Sequence, residues 1–172
     1  MDRIMIIGCG GSGKSTLARQ LGHILQLPVI HLDKLWWKPG WESVTREEFD
    51  VLHQNETEKA YWIIDGNFSR TLPKRLEKCD TVIYLDYNRV VCLWSVFKRV
   101  LTNLGKVRPD MGDGCPERFS LEFVQWVWNF NKNNRSKIHE LLSNADHAQK
   151  YILKNRKQLK CFLRDLSRET GR

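Results

Sequence analysis

The 172-residue sequence predicts an α/β fold, a five-stranded parallel sheet with helices on both faces. Three observations predict it. Short apolar runs recur along the chain, most of them followed by a segment with helical spacing. The first run ends in a glycine-rich turn that opens straight into such a segment. The composition, 41% hydrophobic and 28% charged, is that of an ordinary globular chain.

The elements follow in order. "RIMIIG" (3–8) reads as a buried strand and "KSTLARQLGHIL" (14–25) as the first helix. "PVIHLD" (28–33) is the second strand. In the helical segment 44–60, Thr45 with Glu48 three residues on forms a capping-box pattern. "YWIIDG" (61–66) is the third strand, "RTLPKRLEKC" (70–79) a short helix or turn, and "TVIYLD" (81–86) the fourth strand. Strong periodicity marks 88–104 as a helix capped by Asn88. Glycines and prolines make 105–118 a loop. Residues 119–144 read as helix, "KYILKN" (150–155) as the fifth strand and 156–169 as the closing helix. No repeat or linker interrupts the pattern, so residues 1–172 are expected to form one domain. The segment "DKLWWKPGW" (33–41) reads as a loop crowded with Trp36, Trp37 and Trp41. Trp62, Trp94, Trp126 and Trp128 are assigned to the core, and His31 to a satisfied position within its strand.

No apolar run approaches the ~20 residues of a membrane span, and the N-terminal apolar stretch is too short for a secretory signal. A cytoplasmic protein is expected. The five cysteines are scattered and form no C-x-x-C pair, which argues against a disulfide framework or a zinc site. The net charge is +8. Residues 150–172 hold eight bases and two acids, a net +6. Such a segment is the solvated face of a last helix in a protein that handles anionic nucleotides, or a non-specific DNA contact. Monomer and homodimer are both open.

"GCGGSGKS" (8–15) matches G-x-x-x-x-G-K-[ST], with a strand before it and an amphipathic helix after it. The residue types serve phosphate binding. Gly8, Gly10, Gly11 and Gly13, with Ser12, let backbone N–H groups turn inward as an anion nest. The helix start at Lys14, Ser15 and Thr16 adds its partial positive charge. Lys14 reaches the β- and γ-phosphates, and Ser15 offers its hydroxyl to Mg²⁺. The ligand expected is Mg·ATP, with GTP not distinguished. A second Mg²⁺ element should be an acid closing a neighbouring strand. Asp65, followed by Gly66, is favoured, and Asp86 is the rival.

The layout resembles the P-loop nucleoside-monophosphate kinases and shikimate kinases. "WIIDGNFSRT" is similar to the adenylate kinase stretch in which Asp-Gly precedes an arginine for the acceptor phosphate; here that is Arg70, one residue further along. Together "HLDKLWWKPGW", "IIDGNFSRTLP", "RPDMGDGCPE" and "FVQWVWNF" resemble the adenylate-kinase-related family named DNA topology modulation protein, over nearly the whole chain. The fold of that family implies a small kinase; its name implies a role at DNA.

Further expectations follow from the resemblance. The 105–118 loop is a lid, with Arg108 and Arg118 as its arginines and Arg99 reaching in from the preceding helix. Region 34–60 holds the acceptor. Asp33, at the end of the second strand, takes the place of the acid that accepts a hydroxyl proton in shikimate and nucleoside kinases. An already phosphorylated acceptor would need arginines instead, and Arg70 and Arg75 are at hand. Trp36 and Trp37 are candidates to stack on a planar acceptor, a nucleotide or nucleoside. The nucleotide base is expected near "LKNRK" (153–157), at Asn155 or Arg156, and Arg135 is a further candidate for the cleft. The expected activity is transfer of the γ-phosphate of Mg·ATP to a small acceptor. The alternative is a nucleotide-dependent regulator that touches DNA through its basic C-terminal face.

Overall fold

The computed structural model describes residues 1–171. Its strands are β1 (Arg3–Gly8), β2 (Val29–His31), β3 (Trp37–Lys38), β4 (Glu42–Ser43), β5 (Trp62–Asp65), β6 (Thr81–Leu85) and β7 (Gln149–Leu153). Its helices are α1 (Lys14–Leu25), α2 (Leu32–Trp36), α3 (Arg46–Thr57), α4 (Leu72–Lys78), α5 (Arg89–Asn103), α6 (Leu121–Ser143) and α7 (Arg156–Glu169). Five strands form one all-parallel sheet in the order β2-β5-β1-β6-β7, with helices packed around it. β3 and β4 form a separate antiparallel hairpin.

The central strands explain the sheet. Residues 4–7 of β1 and 82–85 of β6 are unbroken apolar runs, all but inaccessible, as a strand covered on both faces requires. Register then sets the site. Ile6 of β1 and His31 of β2 both lie opposite Asp65, so three carboxyl ends converge on that residue.

Local signals decide the helix starts. Thr45 and Glu48 make both bonds of the capping box at α3. Asn88 and Ser120 cap α5 and α6 through their side-chain oxygens. α7 packs Leu159, Phe162, Leu163 and Leu166 inward, so the C-terminal charge run is the outer side of an amphipathic helix.

Two expectations need correction. The second strand stops at His31 rather than running to residue 33, because the chain turns into α2 at Leu32. Trp62 is buried, but Trp94, Trp126 and Trp128 are exposed. α5 buries Cys92, Val96 and Val100 while a second apolar row stands outside. Periodicity shows that a helix has an apolar side, not that every apolar residue lies on the buried one.

Arg75 on α4 is wholly buried and donates to the carbonyls of Gly66 (2.9 Å) and Asn67 (2.6 Å), bracing the chain just beyond Asp65. Burial lowers its pKa to about 10. Replacement by Met fills the space but leaves both carbonyls without a donor. The expected cost is about 2–4 kcal/mol in urea unfolding, with the m value unchanged.

Candidate active site

The phosphate loop leaves β1 at Gly8 and enters α1 at Lys14. Gly11 has φ 78°, and a Cβ there would lie 2.4 Å from the Cys92 carbonyl of α5, so only glycine fits. Gly13, at φ 97°, caps α1 and has nothing within 4 Å of a built Cβ, so the space before the helix is open. Ser12 Oγ is buried with no hydrogen-bond partner. Orphaned polar groups at a helix N-terminus fit a phosphate. The Lys14 ammonium donates to the Cys9 carbonyl at 3.0 Å. Burial lowers the Lys14 pKa, against the pull of Asp65 and Asp33.

Ser15 Oγ donates to Asp65 Oδ2 at 2.7 Å. The other carboxylate oxygen, Asp65 Oδ1, lies 2.5 Å from His31 Nδ1. A hydroxyl and a carboxylate side by side at the start of a phosphate-binding helix are a donor set suited to Mg²⁺, which takes one or two carboxylates plus phosphate and water oxygens. Asp86 is turned elsewhere. Its Oδ2 accepts from Arg135 Nε (3.0 Å) and Nη2 (2.8 Å). Arg135, the further candidate for the cleft, is thus ion-paired.

Asp33 stands in the first turn of α2, half-buried. Burial raises its pKa, Asp65 adds to the rise, and Lys14 and Arg108 oppose it. Its place is the first turn of a helix rather than the end of a strand.

The 105–118 segment folds back on itself, with Gly105 N–H donating to the Glu117 carbonyl and Glu117 N–H to that of Lys106. Glu117 gathers two arginines, Arg99 Nη2 at 3.1 Å and Arg108 Nε at 2.6 Å. Arg108 also meets Asp110 at 2.5 Å, and Arg19 of α1 reaches Asp110 at 3.4 Å. Burial pushes the Asp110 carboxyl up, but Arg108 and its other partners outweigh that, and the net shift is downward. Asp110, Glu117 and the His31 pairing were not singled out from sequence. The available signal was three acids, Asp110, Asp113 and Glu117, set among the three bases of the loop.

The tryptophans bind this segment. Trp36 packs edge-on to Phe49 (5.2 Å) and tilted against Phe68 (5.7 Å). Trp37 meets Trp41 at 5.5 Å, and its carbonyl lies 2.2 Å from where a Cβ on Gly112 would stand. Trp41 Nε1 donates to the Pro116 carbonyl at 3.2 Å, and Arg118 sits 4.7 Å over the Trp41 ring. Gly40 N–H donates to Gly114, and Cys115 Sγ to the Lys38 carbonyl. The β3–β4 hairpin and the 105–118 segment are thus clasped together. Trp36 and Trp37, expected to line the acceptor pocket, are half-buried and have ring partners within the protein.

Other expected site residues have partners of their own. Arg70 is exposed and paired with Asp50 of α3 at 2.5 Å. Asn155 caps α7, its side-chain oxygen accepting from Gln158 N–H, and Arg156 donates to Ser95.

No protein-family model matches the sequence, and no curated protein matches it. Solved structures do. Shikimate kinase from Acinetobacter baumannii, in complex with shikimate, aligns with a TM-score of 0.62 at 18% identity, over 98% of this chain and 90% of that one. The fold is that of the P-loop kinases. Shikimate kinase from Bacteroides thetaiotaomicron gives 0.54 at 17% identity over 99% of each chain. A gluconokinase from Sinorhizobium meliloti 1021 gives 0.53 at 12%, over 99% of this chain and 91% of that one. None of these three structures carries the DNA topology resemblance. At these identities the likeness establishes the fold.

Two outcomes follow from the geometry. Because the folded pKa of Asp33 lies above its unfolded value, its ionised form costs stability at neutral pH. That cost vanishes below the ordinary carboxylate pKa near ~3.9 and is complete above the raised one. Asp33→Asn should therefore raise Tm at pH 7, with the gain gone near pH 3. Gly112→Ala places a methyl against the Trp37 carbonyl; it should open the clasp, lower Tm, and change tryptophan emission as Trp37 and Trp41 meet water.

Proposed function

We propose that this chain is a P-loop small-molecule kinase, transferring the γ-phosphate of Mg·ATP to a hydroxyl group of a small acceptor. The observation that carries this reading is the placement of Asp33. It stands with Lys14 and Asp65 beyond the phosphate loop, while Arg70, the expected clamp for a phosphorylated acceptor, is paired with Asp50. A nucleoside or another polyhydroxy acceptor fits a carboxylate base better than a nucleoside monophosphate does. The kinase fold of the solved neighbours supports the reaction class.

The residues divide the work as follows. The N–H groups of Gly8 to Thr16 receive the nucleotide phosphates. Lys14 spans the β- and γ-phosphates. Ser15 and Asp65 would hold Mg²⁺, with His31 orienting Asp65. When bound, Mg·ATP supplies the phosphoryl group and neutralises charge on it. The acceptor hydroxyl loses its proton to an Asp33 oxygen as its own oxygen attacks, a contribution of roughly 10²–10⁴ in rate. Arg108 and Arg99 lie in the 105–118 lid and on the helix before it. Parting from Glu117 and Asp110 would free both guanidiniums for the transferring group. Region 34–60 receives the acceptor, and residues 1–172 act as one domain in the cytoplasm.

ADP release with Mg·ATP should be stimulated by one class of hydroxyl acceptor and not by phosphomonoesters or plasmid DNA. Lys14→Ala and Asp33→Asn should each lower kcat/KM at least ~100-fold with the fold intact. The acid limb of the wild-type profile should lie above the ordinary carboxylate range, since activity needs Asp33 ionised and its pKa is raised. Stimulation by nucleoside monophosphates alone would return the acceptor role to an arginine clamp. Stimulation by DNA alone would replace the kinase reading.

A further inference from the structure

α5 has an apolar row on its outer side. Val90, Trp94, Phe97, Leu101 and Leu104 recur at intervals of four, three, four and three residues. That is the a/d spacing of a coiled-coil seam, the narrow stripe by which one helix pairs with another. All five are exposed, from 51% at Phe97 to 67% at Leu101. The inner side of the same helix is already used. Cys92, Val96 and Val100 are buried, and the first two press on Gly11 of the phosphate loop.

The stripe is continuous and uncharged. Trp94 and Phe97 stack at 6.1 Å with 28° between their planes. Val91 widens one end. At the other, Leu104 bridges Glu117, and the exposed Phe119 and Leu121 follow that residue. α5 holds three charged side chains, and two have partners: Arg89 lies 4.0 Å over the Trp128 ring, and Arg99 bonds Glu117. Lys98 remains at the rim, where its stem can lie along an apolar neighbour.

Counting Val91, five side chains of α5 and Leu104 at its C-cap present roughly 600 Å² of apolar surface, the upper end of what a monomer leaves open. Two such faces in contact would remove on the order of 1,200 Å², which reaches the size of a specific interface. A seam without charge is complementary to itself, so a two-fold contact needs no second surface. We propose that the outer face of α5 is a homodimer interface, formed with a second copy of this chain on the side of α5 opposite the phosphate loop.

Sedimentation equilibrium over roughly 1–100 µM protein tests it. The wild type should approach twice the 20.3 kDa chain mass. Trp94→Glu and Leu101→Glu should each weaken association at least ~100-fold, leaving a chain of single mass. Thr102→Glu, one residue off the stripe, should remain dimeric. These side chains are exposed, so all three variants should keep the wild-type circular dichroism spectrum. A wild type that stays monomeric throughout overturns the proposal, as does a dimer indifferent to both stripe substitutions. A monomer that instead sediments with anionic lipid vesicles also overturns it, and assigns the stripe to a membrane surface.

Discussion

The position of Asp65 is the constraint from which the candidate site follows. Parallel pairing puts it opposite both Ile6 and His31, so one carboxylate sits where three strand ends meet. One oxygen takes the Ser15 hydroxyl and the other faces His31. The first contact ties β5 to the start of α1, and therefore to the phosphate loop. Its negative charge helps keep the buried Lys14 a cation, and it raises the pKa of Asp33. A shift of one residue in the β5 register would point this carboxylate away from the loop and scatter the group.

The density of tryptophan between residues 33 and 41 has a mechanical account. Trp36 fills a small aromatic cluster with Phe49 and Phe68. Trp37 and Trp41 hold the 105–118 segment against the β3–β4 hairpin through close backbone contact at Gly112 and a bond to Pro116. The same segment delivers Arg108 and Asp110 to the phosphate loop. The two segments are therefore held together, and Arg99 and Arg108 are held in ion pairs.

Much of this was legible in the sequence, for identifiable reasons. The phosphate loop is written in residue types that the backbone demands, glycine at positive φ and Lys-Ser at a helix start. The caps of α3, α5 and α7 are equally local, and Asn155 could have been read as one. The alternation of strands with helices gave the sheet because each strand in it is short and apolar. What was not legible depends on which way a residue turns in space. Arg70 and Arg135 found carboxylates on other elements, Asp50 and Asp86, far away in sequence. Asp33 reaches the site from α2, because a three-residue strand gives way to a helix that local propensity did not announce. The outward row of α5 has the same periodicity as the inward one, so the pattern alone placed Trp94 in the core.

Asp65 and Ser15 are proposed as the protein's share of a Mg²⁺ site at the phosphate loop. The direct test is calorimetric titration of the protein with ADP, with and without Mg²⁺, in the wild type and in Asp65→Asn. Mg²⁺ should tighten ADP binding in the wild type, and this gain should be lost in Asp65→Asn, while metal-free affinity is little changed. An equal gain from Mg²⁺ in both proteins would contradict it, and would place the metal on another residue.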